Sequence, residues 1–153
     1  MKKLFWSLVV LITFVSCSSD NDDSSSISNQ ILTGTVEGQA FTFMGGQAFF
    51  RSSTSTEEIT IYLTNEDLGC ETDIFDYELT ISATVPNMVG VYTDINIVTQ
   101  DGNNTPFNSL GETVEITSVS ATEISGKMKL NKEGSEMFAE SIFEGSFTVS
   151  ICE

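Results

Sequence analysis

The stretch Glu58-Ile-Thr-Ile-Tyr-Leu-Thr-Asn65 alternates Ile59, Ile61 and Leu63 with Thr60, Tyr62 and Thr64. Asp76 to Val85 repeats the device, with Tyr77, Leu79, Ile81, Ala83 and Val85 set against Glu78, Thr80, Ser82 and Thr84. A period of two residues sends one set to a buried face and the other to water, as in a half-buried β-strand. Outward from this pair the pattern recurs. Glu123 to Leu130 opposes Ile124, Gly126, Met128 and Leu130 to Ser125, Lys127 and Lys129, and Phe143, Gly145, Phe147, Val149 and Ile151 oppose Glu144, Ser146, Thr148 and Ser150.

Shorter strand candidates are Leu32 to Val36, Gln39 to Met44, Gln47 to Ser52, Asp94 to Thr99 and Glu112 to Val119. Turn residues separate them: Glu37-Gly38, Gly45-Gly46, Asn65 to Gly69, Pro86-Asn87, Asp101 to Asn104 and Glu133-Gly134. Glu37-Gly38 reads as a two-residue hairpin turn in which the glycine supplies a positive φ. About nine short strands at regular spacing predict an all-β domain, an antiparallel sandwich or a barrel. The same alternation satisfies both. The single helical candidate, Glu136 to Ser141, is too short to matter, so no substantial helix is expected.

Upstream of these strands the chain changes character. Lys2 and Lys3 precede an apolar run from Leu4 to Val15, then Ser16 and Cys17, which is the order of a secretory signal. The run is too short for a hydrocarbon core of ~30 Å, which needs ~20 apolar residues in a helix. Removal of residues 1–16 is therefore expected. Val15-Ser16-Cys17 resembles the lipobox of bacterial lipoproteins, with Phe14 standing where leucine is usual, and this resemblance implies a lipid on Cys17 that anchors the chain to a membrane. An ordinary signal peptide with an incidental cysteine is the alternative. Residues 18–30, rich in Ser and Asp, have too little apolar surface to offset the cost of ordering their backbone, and read with Cys17 as a flexible tether. The acids Asp20, Asp22 and Asp23 behind the cysteine are similar to the tether of surface-exposed lipoproteins of the Bacteroidota. That likeness implies an outer-membrane location facing the cell exterior, with the periplasmic face as the alternative. Residues 31–153 then form one domain.

The whole chain carries Lys+Arg 6 against Asp+Glu 22. Loss of Lys2 and Lys3 leaves Arg51, Lys127, Lys129 and Lys132, and the formal charge moves from -16 to -18. Such a surface lacks the basic patches that displace counterions from phosphates, so no nucleic-acid partner is expected. Histidine is absent. The commonest general base, nucleophile–histidine pairs and His-based metal sites go with it. Lys127 and Lys129 lie on the solvated parity of their strand, where a lysine keeps its charge and is a poor base. Carboxylate pairs are numerous without a pattern that marks one as a hydrolase. The sequence therefore predicts a protein that is not an enzyme and has no catalytic residue.

With Cys17 lipidated, Cys70 and Cys152 form a disulfide candidate in an exported protein, two free thiols being the alternative. Cys152 shares the parity of Thr148 and Ser150, which would place the bond at the rim. Calcium is the one cofactor whose ligands are at hand, at Asp67, Glu71, Asp73 and Asp76 with Asn65 and Glu66, or at Asp101, Asn103 and Asn104, although neither loop follows the EF-hand order. Tyr62 points outward from its strand, and Phe49 and Phe50 must point to opposite faces. These three are the candidate ligand contacts, for a glycan or for a protein partner at the outer membrane. The Gly34 to Phe43 hairpin and the Glu144 to Cys152 strand together look like the small β-rich lipoproteins common in Bacteroidota, a resemblance that implies a binding or assembly accessory and brings no catalytic residue.

Overall fold

The computed structural model describes residues 26–52, 55–102 and 104–153. The signal, Cys17 and the tether as far as residue 25 lie outside them, as does Asn103. Nine strands follow in order: β1 (Thr33–Val36), β2 (Gln39–Thr42), β3 (Gly45–Ser52), β4 (Ser55–Thr64), β5 (Leu79–Pro86), β6 (Gly90–Asp101), β7 (Phe107–Val119), β8 (Glu123–Lys132) and β9 (Ser141–Ile151). All nine expected strands are present. A single turn of 3₁₀-helix, Ile74–Asp76, is the only helical element among the described residues. The helical candidate Glu136 to Ser141 forms bends running into β9. Six residues cannot repay helix nucleation, and Phe138 stacks instead on Phe107, ring centroids 4.8 Å apart.

The strands β3 to β9 form an up-and-down meander closed into a barrel. Each consecutive pair is antiparallel, and β8 and β9 match from Glu123↔Ser150 to Lys132↔Ser141. The closing pair is parallel, Gln47↔Ser150 and Ala48↔Ile151, which departs from the expected all-antiparallel arrangement. The cause is arithmetic: in a meander with an odd number of strands the first and last run the same way. Side chains fill the interior. Ile59, Ile61 and Leu63 of β4, Ile81 and Ala83 of β5, Ile97 of β6, Ile116 of β7, Met128 and Leu130 of β8, and Phe143 and Phe147 of β9 are all buried, as their parity requires.

The β1–β2 hairpin adds Leu32, Val36 and Phe41 to this core. Glu37 and Gly38 both have positive φ, 48° and 78°, as the tightest hairpin turn demands. From its pairing with β9 the hairpin spans the barrel mouth to β6, where the buried Thr99 hydroxyl donates to the Glu37 carboxylate. The Glu37 amide donates to Ser141 Oγ at 3.0 Å. Gly45-Gly46, expected to be a turn, instead opens β3, paired with Thr64 and Leu63. A Cβ on Gly46 would lie 2.1 Å from the Tyr62 carbonyl oxygen, and one on Gly45 2.4 Å from that of Leu68. Close backbone approach, not reversal of direction, is what these glycines serve.

Ser28 to Ile31, assigned largely to the tether, lie bonded against the barrel. Ser146 donates its amide to Gln30 O at 2.7 Å and accepts from Leu32 N at 2.9 Å. Ile27 is buried in a notch lined by Gly111, Glu112 and Thr113 of β7 and by Lys129 and Asn131 of β8. The Ser28 amide donates to Glu144 Oε1 at 2.7 Å, and Lys129 Nζ stands 3.3 Å from Glu144 Oε2. These residues form a strap over the outer wall. The bond from Ser28, with help from Lys129, holds the Glu144 carboxyl below the usual carboxylate range. A carboxyl whose pKa is lowered by folding contributes stability above its unfolded pKa and loses it as pH falls through the folded value. The Ser28 amide resonance should therefore shift, and its exchange protection disappear, only below the ordinary carboxylate range; Glu144→Gln should weaken the strap at neutral pH while the β8–β9 amides keep their protection.

Candidate functional site

The loop of residues 65–78 holds six acids, Glu66, Asp67, Glu71, Asp73, Asp76 and Glu78, and no basic residue. Two of the acids shape it. Glu66 Oε2 accepts from the Glu78 amide at 3.2 Å, and Asp73 Oδ1 accepts from Phe75 N at 3.1 Å, capping the 3₁₀ turn. The loop folds back over the outer face of β3. Gly46 N donates to Leu68 O at 2.8 Å, and the buried Gln47 amide donates through Nε2 to Thr72 O at 2.8 Å. Cys70 and Cys152 are joined in a disulfide with their Cα atoms 5.6 Å apart, and Cys152 N donates to Ala48 O at 2.8 Å. The bond sits at the rim, with Cys70 exposed and Cys152 covered. Burial pushes the Tyr77 hydroxyl above its ordinary pKa, with Gln47 lowering it and Glu66 raising it further.

Between β3 and this loop runs an open groove of about 440 Å³ lined by Gln47, Phe49 and residues 70–75. Phe49 forms its wall and is braced from behind by Tyr62, ring centroids 6.4 Å apart and nearly perpendicular. Such an edge-to-face contact contributes about 0.5–1.5 kcal/mol beyond area burial. Opposite stands Phe75, with 85% of its surface exposed. An aromatic so exposed gains nothing from the fold. The groove thus joins Phe49, Glu71 and Asp73, which the sequence singled out separately, and gives Tyr62 a supporting role. Burial raises the pKa of Tyr62, which stays a neutral hydroxyl.

Phe50 is not part of this surface, because it points inward and packs against the core. Phe75 and Gln47 were not legible as site residues. The signal for Phe75 was the pair Ile74-Phe75, two large apolar side chains inside an otherwise acidic loop with no alternation to bury them. Asp67, Glu71, Asp73 and Asp76 do not converge: no group of three or more His, Cys, Asp or Glu side chains suited to a metal ion is gathered among the described residues. In the other calcium candidate Asn104 Nδ2 donates to Asp101 Oδ2 at 3.3 Å. No protein-family model, no curated protein and no solved structure matches this chain.

A second hollow, of about 470 Å³, lies on the outer face of β3 to β6, between Arg51, Thr60, Thr84 and Asn96. Several of its polar groups are occupied with one another or with neighbours, while the buried Asn96 Oδ1 has no hydrogen-bond partner among the described residues. Arg51 pairs with Glu58 at 3.1 Å, Thr60 and Thr84 share a hydrogen bond of 2.9 Å, and Asn96 donates to Asn108 at 2.8 Å. The remaining cations are committed elsewhere. Lys127 pairs with Glu115 at 3.0 Å, Lys129 with Glu144, and Lys132 stands 5.6 Å from the rings of both Phe107 and Phe138. Lys127 is less solvated than its parity suggested, with 18% of its side chain exposed. No ion pair among the described residues involves a carboxylate of the 65–78 loop.

The disulfide holds both this loop and the end of β9, so its loss should affect stability and site together. The double variant Cys70→Ser/Cys152→Ser is expected to have an unfolding free energy lower than the wild type's by about 2–5 kcal/mol in a urea titration. The Thr72 and Gly46 amides should lose exchange protection before those of β5 or β8.

Proposed function

We propose that this chain is a lipid-anchored lipoprotein of the outer membrane that works outside the lipid as a non-enzymatic binding accessory. Its groove takes a cationic segment of a protein partner that carries an apolar side chain. The observation that carries the reading is the distribution of charge around the two phenylalanines. All four basic residues among the described residues, Arg51, Lys127, Lys129 and Lys132, have partners away from the groove, while the acids beside Phe49 and Phe75 have no cation paired with them. A concave apolar strip with an uncompensated acidic rim fits a positively charged, apolar-tipped segment, since opposite charge steers the encounter and apolar contact supplies affinity.

A barrel interior filled by core side chains supports contact through the outer surface. Protein fits the groove better than glycan. Sugar rings favour aromatic faces with polar tips, and the rings lining the groove are the half-buried Phe49 and the exposed Phe75, with Tyr62 behind Phe49.

The test is a photo-reactive phenylalanine analogue placed at Phe75 in the full chain, irradiated in the cell that makes it, with the same analogue at Thr117 on β7 as control. A cross-linked protein band is expected from position 75 alone, weakened several-fold by high salt and by Glu71→Lys with Asp73→Lys. Thermal stabilisation by a polysaccharide without any cross-link at 75 would instead favour glycan binding, and cross-links of equal yield at both positions would remove the groove from consideration.

A further inference from the structure

The strap crosses the barrel wall that faces away from the groove. Around the ring, β7 is separated from β3 by β9 and β8 on one side and by β4, β5 and β6 on the other. Ile27 sits over β7 and β8, whereas Phe49 belongs to β3 and Phe75 to the loop packed on it. We infer that the strap orients the domain on its anchor, so that the β7–β8 wall lies against the lipid surface and the Phe49–Phe75 groove faces away from it. This rests on the lipid-anchored reading above.

Two independent observations carry it. The first is the fixed point of attachment. Ile27 in its notch, the Ser28–Glu144 bond and the Ser146 backbone bonds pin the segment from Ile27 to Leu32 along one path. Gly145 leaves room for that path, since a Cβ there would lie 2.5 Å from Leu32 Cα. Only eight residues separate Ser26 from Cys17, a reach of at most about 32 Å. A barrel held by its β7–β8 wall on so short a chain cannot readily turn that wall outward.

The second is charge. Two of the three lysines of β8 point outward on this wall, where Lys127 faces Glu115 and Lys129 faces Glu144. Opposite charges are interleaved, so the middle of the wall is close to neutral and meets little repulsion from anionic headgroups. On the groove side stand the six acids of the 65–78 loop without a cation among them, and within a Debye length of an anionic surface each is repelled. Tether and charge favour the same face.

The test uses the full lipidated chain, recovered from membranes and reconstituted into phosphatidylcholine–phosphatidylglycerol vesicles containing a spin-labelled lipid. A fluorophore is attached either at Leu110→Cys, beside the strap, or at Asp76→Cys, beside the groove. Quenching several-fold stronger at position 110 than at 76 is expected, and Ile27→Asp or Glu144→Gln should collapse the difference. Glu144→Gln leaves the buried core intact and keeps the test decisive where Ile27→Asp does not fold. Equal quenching in the wild type, in a chain that floats with the vesicles, overturns the orientation while leaving the anchor in place. An asymmetry unchanged in the strap variants removes the strap as its cause. A chain that does not float at all brings down the lipid-anchored reading and the orientation with it.

Discussion

The parallel seam between β3 and β9 is the constraint on which the barrel depends. Seven strands in an up-and-down meander cannot close with antiparallel pairing throughout, and the closing contact is two residue pairs long, beside a β8–β9 ladder that runs from one end of β9 nearly to the other. A short seam in an otherwise continuous sheet is where a barrel opens first. Here it is reinforced from three directions. Cys152 continues the pairing by one hydrogen bond to Ala48, the disulfide ties it to the loop packed on β3, and the β1–β2 hairpin occupies the rest of the same β9 edge. The groove is a by-product of this reinforcement, since the loop that buttresses the seam is also the one that carries Phe75.

Distribution of charge follows from the same division of the surface. On the wall formed by β7, β8 and β9 two outward lysines stand opposite glutamates of neighbouring strands, Lys127 by Glu115 and Lys129 by Glu144, and side-chain pairs opposite each other stabilise a ladder. The loop over β3 has no such lattice. Its conformation is held by backbone bonds, one buried glutamine, the carboxylates of Glu66 and Asp73 and one disulfide, and none of its acids is paired with a cation among the described residues. Paired and unpaired charge thereby fall on different sides of one small domain.

Nearly all the local structure was legible in the sequence, because each long strand has one wet and one dry face and the alternation reports this residue by residue. Closure was not. The pairings that distinguish a barrel from a sandwich join Gln47 to Ser150 and Ala48 to Ile151, contacts that leave no mark on local periodicity. Gly45-Gly46 carries two meanings in sequence, chain reversal or close approach, and only the loop lying over it decides between them. At the site, alternation sent Tyr62 outward and split Phe49 from Phe50 without saying which of the two was covered. Phe75 lies in an irregular loop where no period applies. Ile27, one apolar residue in a polar run, has its notch on strands far away in the chain.

β9 has a further consequence for how the protein comes into being. The strap, the hairpin, β3 and β8 all wait for the same strand, which is the last to be synthesised. Chains dominated by such distant contacts fold slowly. Until β9 has been made, unclosed strand edges and the apolar faces of Leu32, Val36 and Phe41 therefore stand in the open. Acquisition of shape is a single late event, timed by the arrival of one strand.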